Sequence, residues 1–359
     1  MKLAEKITDI INKNPAAVSD IHVKENYPVM IKTPSGFSMV DGEKISKDDI
    51  TQFMGMPSIG GKSWYARMNE EGGGFSLAHT MHNDTSRIRV SVYEEGGEEK
   101  NIALAIRIQP VAPPSSEQLG LPPIIRTLSR KSKGLLIIAG PTGSGKTTTM
   151  ASIIDQINTQ RSLHILAIEQ PIEYIHKNKK SLISQREVPS NVNSFGKGLE
   201  SALRHNPDVI AIGEVMDKET VDTMLRASDS GHFVMATMHT RNCEDTINRL
   251  LSFYSGHELP QKLNLISSTL IGIVVQTLVP EKEGTKNCLA TEIMVNTKAI
   301  AGFIRKNELH NIKNMISQGK SEGMHTLNQC LRQMIADKKI AAESAMRASY
   351  DDDELRSTL

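Results

Sequence analysis

Residues 140–148 read Gly140-Pro141-Thr142-Gly143-Ser144-Gly145-Lys146-Thr147-Thr148. This order of residue types suits one task, the holding of a chain of phosphates. The run Gly140–Thr147 fits the pattern G-x-x-x-x-G-K-[ST] in full. Glycines let the backbone turn sharply and approach a ligand closely. Backbone N–H groups of the loop, and of the helix that starts at Lys146, then point at the phosphates. Lys146 reaches the β- and γ-phosphates, and the Thr147 hydroxyl is placed to hold Mg²⁺. The apolar run Leu135–Ala139 just before the loop reads as a strand. A plain glycine turn onto a helix would leave Lys146 and Thr147 without a purpose. The expected ligand is ATP with Mg²⁺.

Such a loop needs carboxylates nearby, one to support the metal and one to polarise an attacking water. Two stretches offer them at the ends of apolar runs. "ILAIEQPIEY" carries Glu169 and Glu173, and "NPDVIAIGEVMD" carries Glu214 directly behind Gly213. In an open parallel sheet a ligand binds beyond the carboxyl ends of the strands, so both stretches aim carboxylates at the loop. A carboxylate in the first turn of a helix, favoured by the dipole, is the plainer reading of either one. "GHFVMATMHT" puts His232 and His239 at opposite ends of another strand. His239, at the carboxyl end, is the candidate for a phosphate or water contact. Each histidine alone reads as a hydrogen-bonded structural residue, and no spacing supports a zinc site.

The elements that must carry these residues fall into an α/β pattern. From Leu135 on, "LLIIA", "ILAI", "VIAI" and "FVMAT" alternate with helical stretches, as in a buried parallel sheet. After about Glu292 the pattern turns helical to about residue 350, and the acidic end "DDDELRSTL" reads as frayed. Before the sheet, residues 1–112 read as a smaller α/β unit. It has an amphipathic helix near 3–13 and strand-like Ile21, Val23, Val29 and Ile31. A turn follows at Pro34–Gly36, and strands at 87–93 and 102–108 form a hairpin. The proline-rich stretch 113–122 is the expected linker, and residues 123–359 the second domain.

With 42 basic and 41 acidic residues the net charge is +1, and aromatics make up 4%. That is no footprint for nucleic acid. Three distant cysteines, Cys243, Cys288 and Cys330, point to a reducing compartment and give no C-x-x-C pair. The N-terminus is too charged for a secretory signal, and the apolar stretch around "LIGIVVQTLV" is too short to span a bilayer. A soluble, cytoplasmic protein is expected, reaching a membrane only through a partner.

Taken together and in order, these boxes resemble the secretion ATPases of type II secretion and type IV pili. The phosphate loop, "IEQPIEY", "ALRHNPDVIAIGEVMDKET" and "GHFVMATMHTRN" match the family's Walker A, Asp box, atypical Walker B and His box. "SDIHV", "LGLP" and "EGMHTLNQCLRQMI" look like it as well, so the resemblance runs over nearly the whole chain. It implies a RecA-like ATPase domain behind a PAS-like N-terminal domain. It implies that Glu214 supports the Mg²⁺, partly through water, and the attacking water. Glu173, with Glu169 as its neighbour, becomes a second candidate for water activation. Which of Glu173 and Glu214 is the base stays open. His239 would stand near the γ-phosphate, with His232 as the second histidine of its box.

The resemblance further implies that arginines of the N-terminal domain reach a nucleotide. Arg87, Arg89 and Arg107 stand at the matching strands, and surface strand arginines are their plainer reading. Ring hexamers are implied, with the linker as a hinge and an inner-membrane pilus platform protein as partner. The short N-terminal region and missing four-cysteine site resemble the pilus-retraction branch, whose work is twitching motility. The chain departs from that branch at Gln170, where an aspartate is usual, and at Met216, where "GEMRD" has its arginine. Ala301, Gly302 and Lys306 replace an arginine, an asparagine and a glutamate of "AIRNLIRE". A pilus-assembly or secretion motor is therefore the alternative. A RecA-like nucleic-acid translocase and an ATP-gated scaffold without turnover are the more distant ones.

Overall fold

In a computed structural model, residues 2–13, 18–33, 36–57, 59–80, 86–96, 100–110, 112–283 and 286–357 are described. The chain forms two compact units, Met1–Ala112 with Glu173–Ile175, and Pro113–Ile172 with His176–Leu359.

The first unit contains α1 (Lys2–Lys13), β1 (Asp20–Lys24), β2 (Pro28–Thr33), β3 (Gly36–Lys44), α2 (Lys47–Met54) and α3 (Trp64–Glu70). It is completed by β4 (Gly74–Thr80), β5 (Ser86–Glu95) and β6 (Asn101–Pro110). The strands form one antiparallel sheet in the order β3-β2-β1-β6-β5-β4. The stripe Leu3, Ile7, Ile10 and Ile11 of α1 is buried in one core with Ile21, Val23, Ile88, Val90, Val92 and Leu104. Each such side chain stabilises by roughly 1.5–3 kcal/mol. Ser46 and Asp49 close a capping box that starts α2. Because strand side chains alternate, Arg87 and Arg89 take the sheet face opposite Ile88 and Val90. Of the turn expected at Pro34–Gly36, Pro34 and Ser35 lie outside the described residues.

The second unit begins with α4 (Pro123–Leu128), β7 (Gly134–Ala139), α5 (Lys146–Gln160), β8 (His164–Glu169), β9 (Leu182–Glu187) and α6 (Phe195–Ala202). It continues with β10 (Val209–Ile212), α7 (Lys218–Asp229), β11 (Phe233–Met238), α8 (Cys243–Leu251), α9 (Glu258–Thr269), β12 (Leu270–Pro280) and β13 (Asn287–Val295). Five helices end it: α10 (Lys298–Arg305), α11 (Ile312–Gln318), α12 (Leu327–Ala336), α13 (Ala342–Ala348) and α14 (Asp352–Arg356). Its sheet runs β13-β12-β7-β11-β10-β8-β9, and every neighbouring pair is parallel except β12–β13. Leu135, Ile137 and Ala139 of β7 enter one apolar core, while Leu136 and Ile138 enter another on the opposite face. Burial on both faces is why these strands read as continuous apolar runs rather than as alternating ones.

Three strands of the second unit go beyond the expected set. The run at 270–280 is a strand, β12, and β13 carries strand structure to Val295, so the helical part begins at Lys298 rather than near Glu292. β9 adds a parallel edge strand. The acidic end is also not frayed through residue 356. Asp351 caps α14 by accepting from Glu354 N, Lys313 pairs with both Asp351 and Glu354, and Leu355 is fully buried. The buried leucine, the Lys313 ammonium and the Asn328 amide, which donates to Asp351 O at 3.0 Å, hold a segment whose composition alone suggests solvation.

Inside this unit Glu292 of β13 is almost fully buried. Its carboxylate accepts from Cys243 N at 2.8 Å, where α8 begins, and from the Tyr350 hydroxyl. A buried carboxylate is tolerable only with such donors, and here they tie the C-terminal helices to the sheet.

Candidate active site

The parallel topology brings the carboxyl ends of β7, β11 and β10 side by side. At the end of β7 the chain leaves through Gly140, whose φ is +147°. A Cβ there would stand 2.2 Å from Gln276 O and 2.6 Å from Ser144 Oγ. No other residue fits that approach. Gly145, at φ +84°, is left-handed and opens α5 without any side-chain cap. The 15-residue helix thus opens on a residue that has no side chain to cap it. That is the arrangement that draws an anion.

Lys146 is buried, and its ammonium donates to Gly140 O at 2.9 Å and Pro141 O at 3.0 Å. Burial pulls its pKa below the ordinary lysine range, and the charge of Glu214 works against that pull. His239, just past the end of β11, stands between the two. Its Nδ1 lies 3.4 Å from Lys146 Nζ and 3.4 Å from Thr142 Oγ1, while its Nε2 lies 3.2 Å from Glu214 Oε1. An ammonium has only protons to offer, so Nδ1 accepts and Nε2–H donates to the carboxylate. The result is a chain, Glu214–His239–Lys146, along the edge of three adjacent strands.

Glu214 is itself held in place. Val215 N donates to Thr237 O at 3.1 Å, and the Thr237 hydroxyl donates to Gly213 O. Thr237 was not singled out in the sequence, although it is the one hydroxyl in the apolar run Phe233–Met238. A lone polar residue inside a fully buried strand is the signal that would have found it. Gln276, buried at the end of the apolar run Leu270–Val275 of β12, is a second such case.

Glu169 and His232 lie elsewhere in the second unit. Glu169 ends β8, three strands from β7, which is roughly 14 Å across a sheet. Its buried carboxylate accepts from Gln185 Nε2 at 2.8 Å. Glu173 follows in the loop toward β9, and among the described residues no hydrogen bond or ion pair holds it. His232 sits at the amino end of β11, about 20 Å along the strand from His239. There its Nδ1 lies 3.1 Å from both Ala227 O and Ser230 Oγ, finishing the turn out of α7. In the first unit Arg89 and Arg107 are direct cross-strand partners, and Arg87 is one pair further along the same face. Arg107 Nε donates to Asp20 Oδ1 at 2.9 Å. Burial alone would raise the Asp20 carboxyl, but the bonds from Arg107 and Ser19 outweigh it and hold it below the usual range. Arg87 is buried.

No group of three or more His, Cys, Asp or Glu that would cage a metal occurs among the described residues. The donors present still fit Mg²⁺, which is commonly bound through one or two protein oxygens together with substrate phosphates and water. Thr147, on the first turn of α5, and Glu214 are the oxygens available for it.

Gln185 also holds the segment beyond β8, because its Oε1 accepts from His176 N at 2.9 Å. The His176 ring is buried, and burial drags its pKa down to about 4. It is neutral when folded and takes a proton near pH 6.5 only when unfolded. Its contribution to stability is therefore present above pH 6.5 and lost as pH falls toward 4, by about 3 kcal/mol in all. His176→Gln should flatten that part of a Tm–pH profile. In the wild type the ring proton resonances of His176 should stay nearly fixed down to about pH 5 and move with a midpoint near 4; a midpoint near 6.5 would refute the assignment.

Among the described residues no helix is long and apolar enough to cross a membrane. Residues 115–356 match the family model described as type II/IV secretion system protein. A twitching motility protein of Neisseria gonorrhoeae is 34% identical over 272 residues, covering 76% of this chain and 72% of that one. The type IV pilus retractation ATPase PilT of Pseudomonas aeruginosa is 36% identical over 260 residues, covering 72% and 74%. A crystal structure of the pilus retraction motor PilT with bound ADP superposes with a TM-score of 0.86 at 35% identity, covering 97% of this chain and 98% of that one. With its phosphate loop, its Glu214–His239–Lys146 chain and these relatives, the chain belongs to the type II/IV secretion system protein family, as one of its ATPases.

Proposed function

We propose that this protein is an ATP-hydrolysing motor of a type IV pilus system, working as a homo-hexamer and driving pilus retraction. The observation that carries the reading is the Glu214–His239–Lys146 chain on a phosphate loop, in a chain similar to PilT over nearly its whole length. Lys146 and the amides of 143–148 bind the β- and γ-phosphates. Thr147 and Glu214 hold Mg²⁺, partly through water, and the ion supplies charge neutralisation on the phosphates. Glu214 orients the attacking water and draws its proton, and His239 keeps the carboxylate turned toward the site. A planar guanidinium on the transferring group fits Arg89 and Arg107, which share one sheet face with Arg87. Hydrolysis would then move the two units about the 113–122 linker, as hinge closures do. The protein would work in the cytoplasm, against a platform protein of the inner membrane.

A second reading, a pilus-assembly or secretion motor, rests on α10. That helix carries Ala301 and Gly302 and is followed by Lys306, where retraction motors have other residues. Deleting the gene in the native host and counting surface pili separates the two. Cells crowded with pili are expected, and bald cells would overturn retraction in favour of assembly.

A further inference from the structure

We propose that Gln276 is a positioning residue of the phosphate loop, and that its side-chain amide sets the affinity for nucleotide. This rests on reading that loop as the nucleotide site.

Gln276 lies on β12, beside β7, in a register that pairs Val275 with Ala139. It therefore comes level with Gly140, where the chain leaves β7. The loop rests on it in three ways. Its carbonyl oxygen is the atom a Cβ on Gly140 would strike at 2.2 Å. Its Nε2 donates to Ser144 O at 2.7 Å, across 132 residues of sequence. The same Nε2 stands 3.4 Å from the place of a Cβ on Gly145, the residue that opens α5. One residue thus underlies the whole loop, its main-chain carbonyl at the start and its side-chain amide at the middle and end.

Its cost argues that the amide is there for the loop. Gln276 is 1% exposed, and its Oε1 has no hydrogen-bond partner among the described residues. Ser144 Oγ, in the loop above, is likewise buried and unpartnered. A methionine of similar volume would fill the position without an orphaned acceptor. What methionine lacks is the donor to Ser144. That donor matters when nucleotide binds. The Lys146 ammonium now closes on Gly140 O and Pro141 O. As it turns to phosphates it gives those carbonyls up, and the bond from Gln276 is left to keep the loop in shape. An amide fixed before binding lowers the ordering cost of binding.

The test uses the full chain, with ADP and Mg²⁺ as the probe. Gln276→Met should raise the Kd for ADP about tenfold, the factor set by about 1.4 kcal/mol. Turnover at saturating ATP should change less than about threefold, since the reacting groups are untouched. The Tm without nucleotide should stay within about 3 °C of wild type. An unchanged Kd in Q276M would overturn the proposal, as would Kd, turnover and Tm failing together. Should Q276M unfold, the wild type decides. ADP must then slow amide exchange at 274–278 along with 143–148, and an unmoved β12 overturns the proposal. Wild-type protein that fails to bind ADP would remove the site reading itself, and this proposal with it.

Discussion

Lys146→Ala is expected to weaken ADP and ATP binding by about 100- to 1000-fold and to abolish turnover. The magnitude follows from what the ammonium can offer. It has three N–H donors, now shared between Gly140 O, Pro141 O and the Nδ1 of His239. Hydrogen bonds to charged groups contribute about 1.5–3 kcal/mol each, and two such bonds to phosphate, each near the lower end of that range, give the 10²–10³ factor. The same substitution should leave the nucleotide-free fold nearly intact. It deprives two loop carbonyls of a donor, but it also removes a cation that burial penalises. The two effects oppose each other. Thermal shift makes the contrast visible. ADP at 100 times the wild-type Kd should stabilise the wild type by about 2.7 kcal/mol and K146A hardly at all. Binding of ADP by K146A within about threefold of wild type would remove Lys146, and with it the loop, from the site.

Much of that site is legible in the sequence because its signals are local. A phosphate loop is built from consecutive residues, and the apolar runs that become β7, β8, β10 and β11 are buried on both faces, which leaves an uninterrupted signature. Strand order is not local. The sheet places β11 next to β7 and leaves β8 three positions away. His239 therefore reaches Lys146, while Glu169, equally attractive on the page, ends in a hydrogen bond to Gln185. Only the crossover connections decide this, and no short window of sequence holds them. The same limit hid Thr237 and Gln276, whose partners are main-chain atoms of segments 24 and 132 residues away. Edge position hid β9, whose residues are half-buried at most and lack an apolar run. The C-terminal tail departs from its composition for the opposite reason. Its composition is polar, but Leu355 and the Lys313 pairings order it.

Glu214→Gln should lower kcat by about 100- to 1000-fold while ADP affinity stays within a few-fold of wild type. The substitution isolates charge from shape. The glutamine carbonyl can still accept from Nε2–H of His239, so the hydrogen-bonded chain to Lys146 persists and the phosphate loop is undisturbed. What is lost is the negative charge that draws a proton from water and supports the metal, and losses of this kind cost about 10²–10⁴ in rate. The parallel variant Glu173→Gln makes the result discriminating. Glu214 is braced on both sides by Thr237, whereas among the described residues no hydrogen bond or ion pair holds Glu173. Positioned bases act from fixed geometry. A larger loss in E214Q than in E173Q, with binding preserved in both, assigns the base to Glu214. The reverse order assigns it to Glu173 and leaves Glu214 to the metal, which predicts that raising Mg²⁺ restores part of the E214Q activity and none of the E173Q activity. Turnover in E214Q equal to wild type would remove Glu214 from both roles, as base and as metal support.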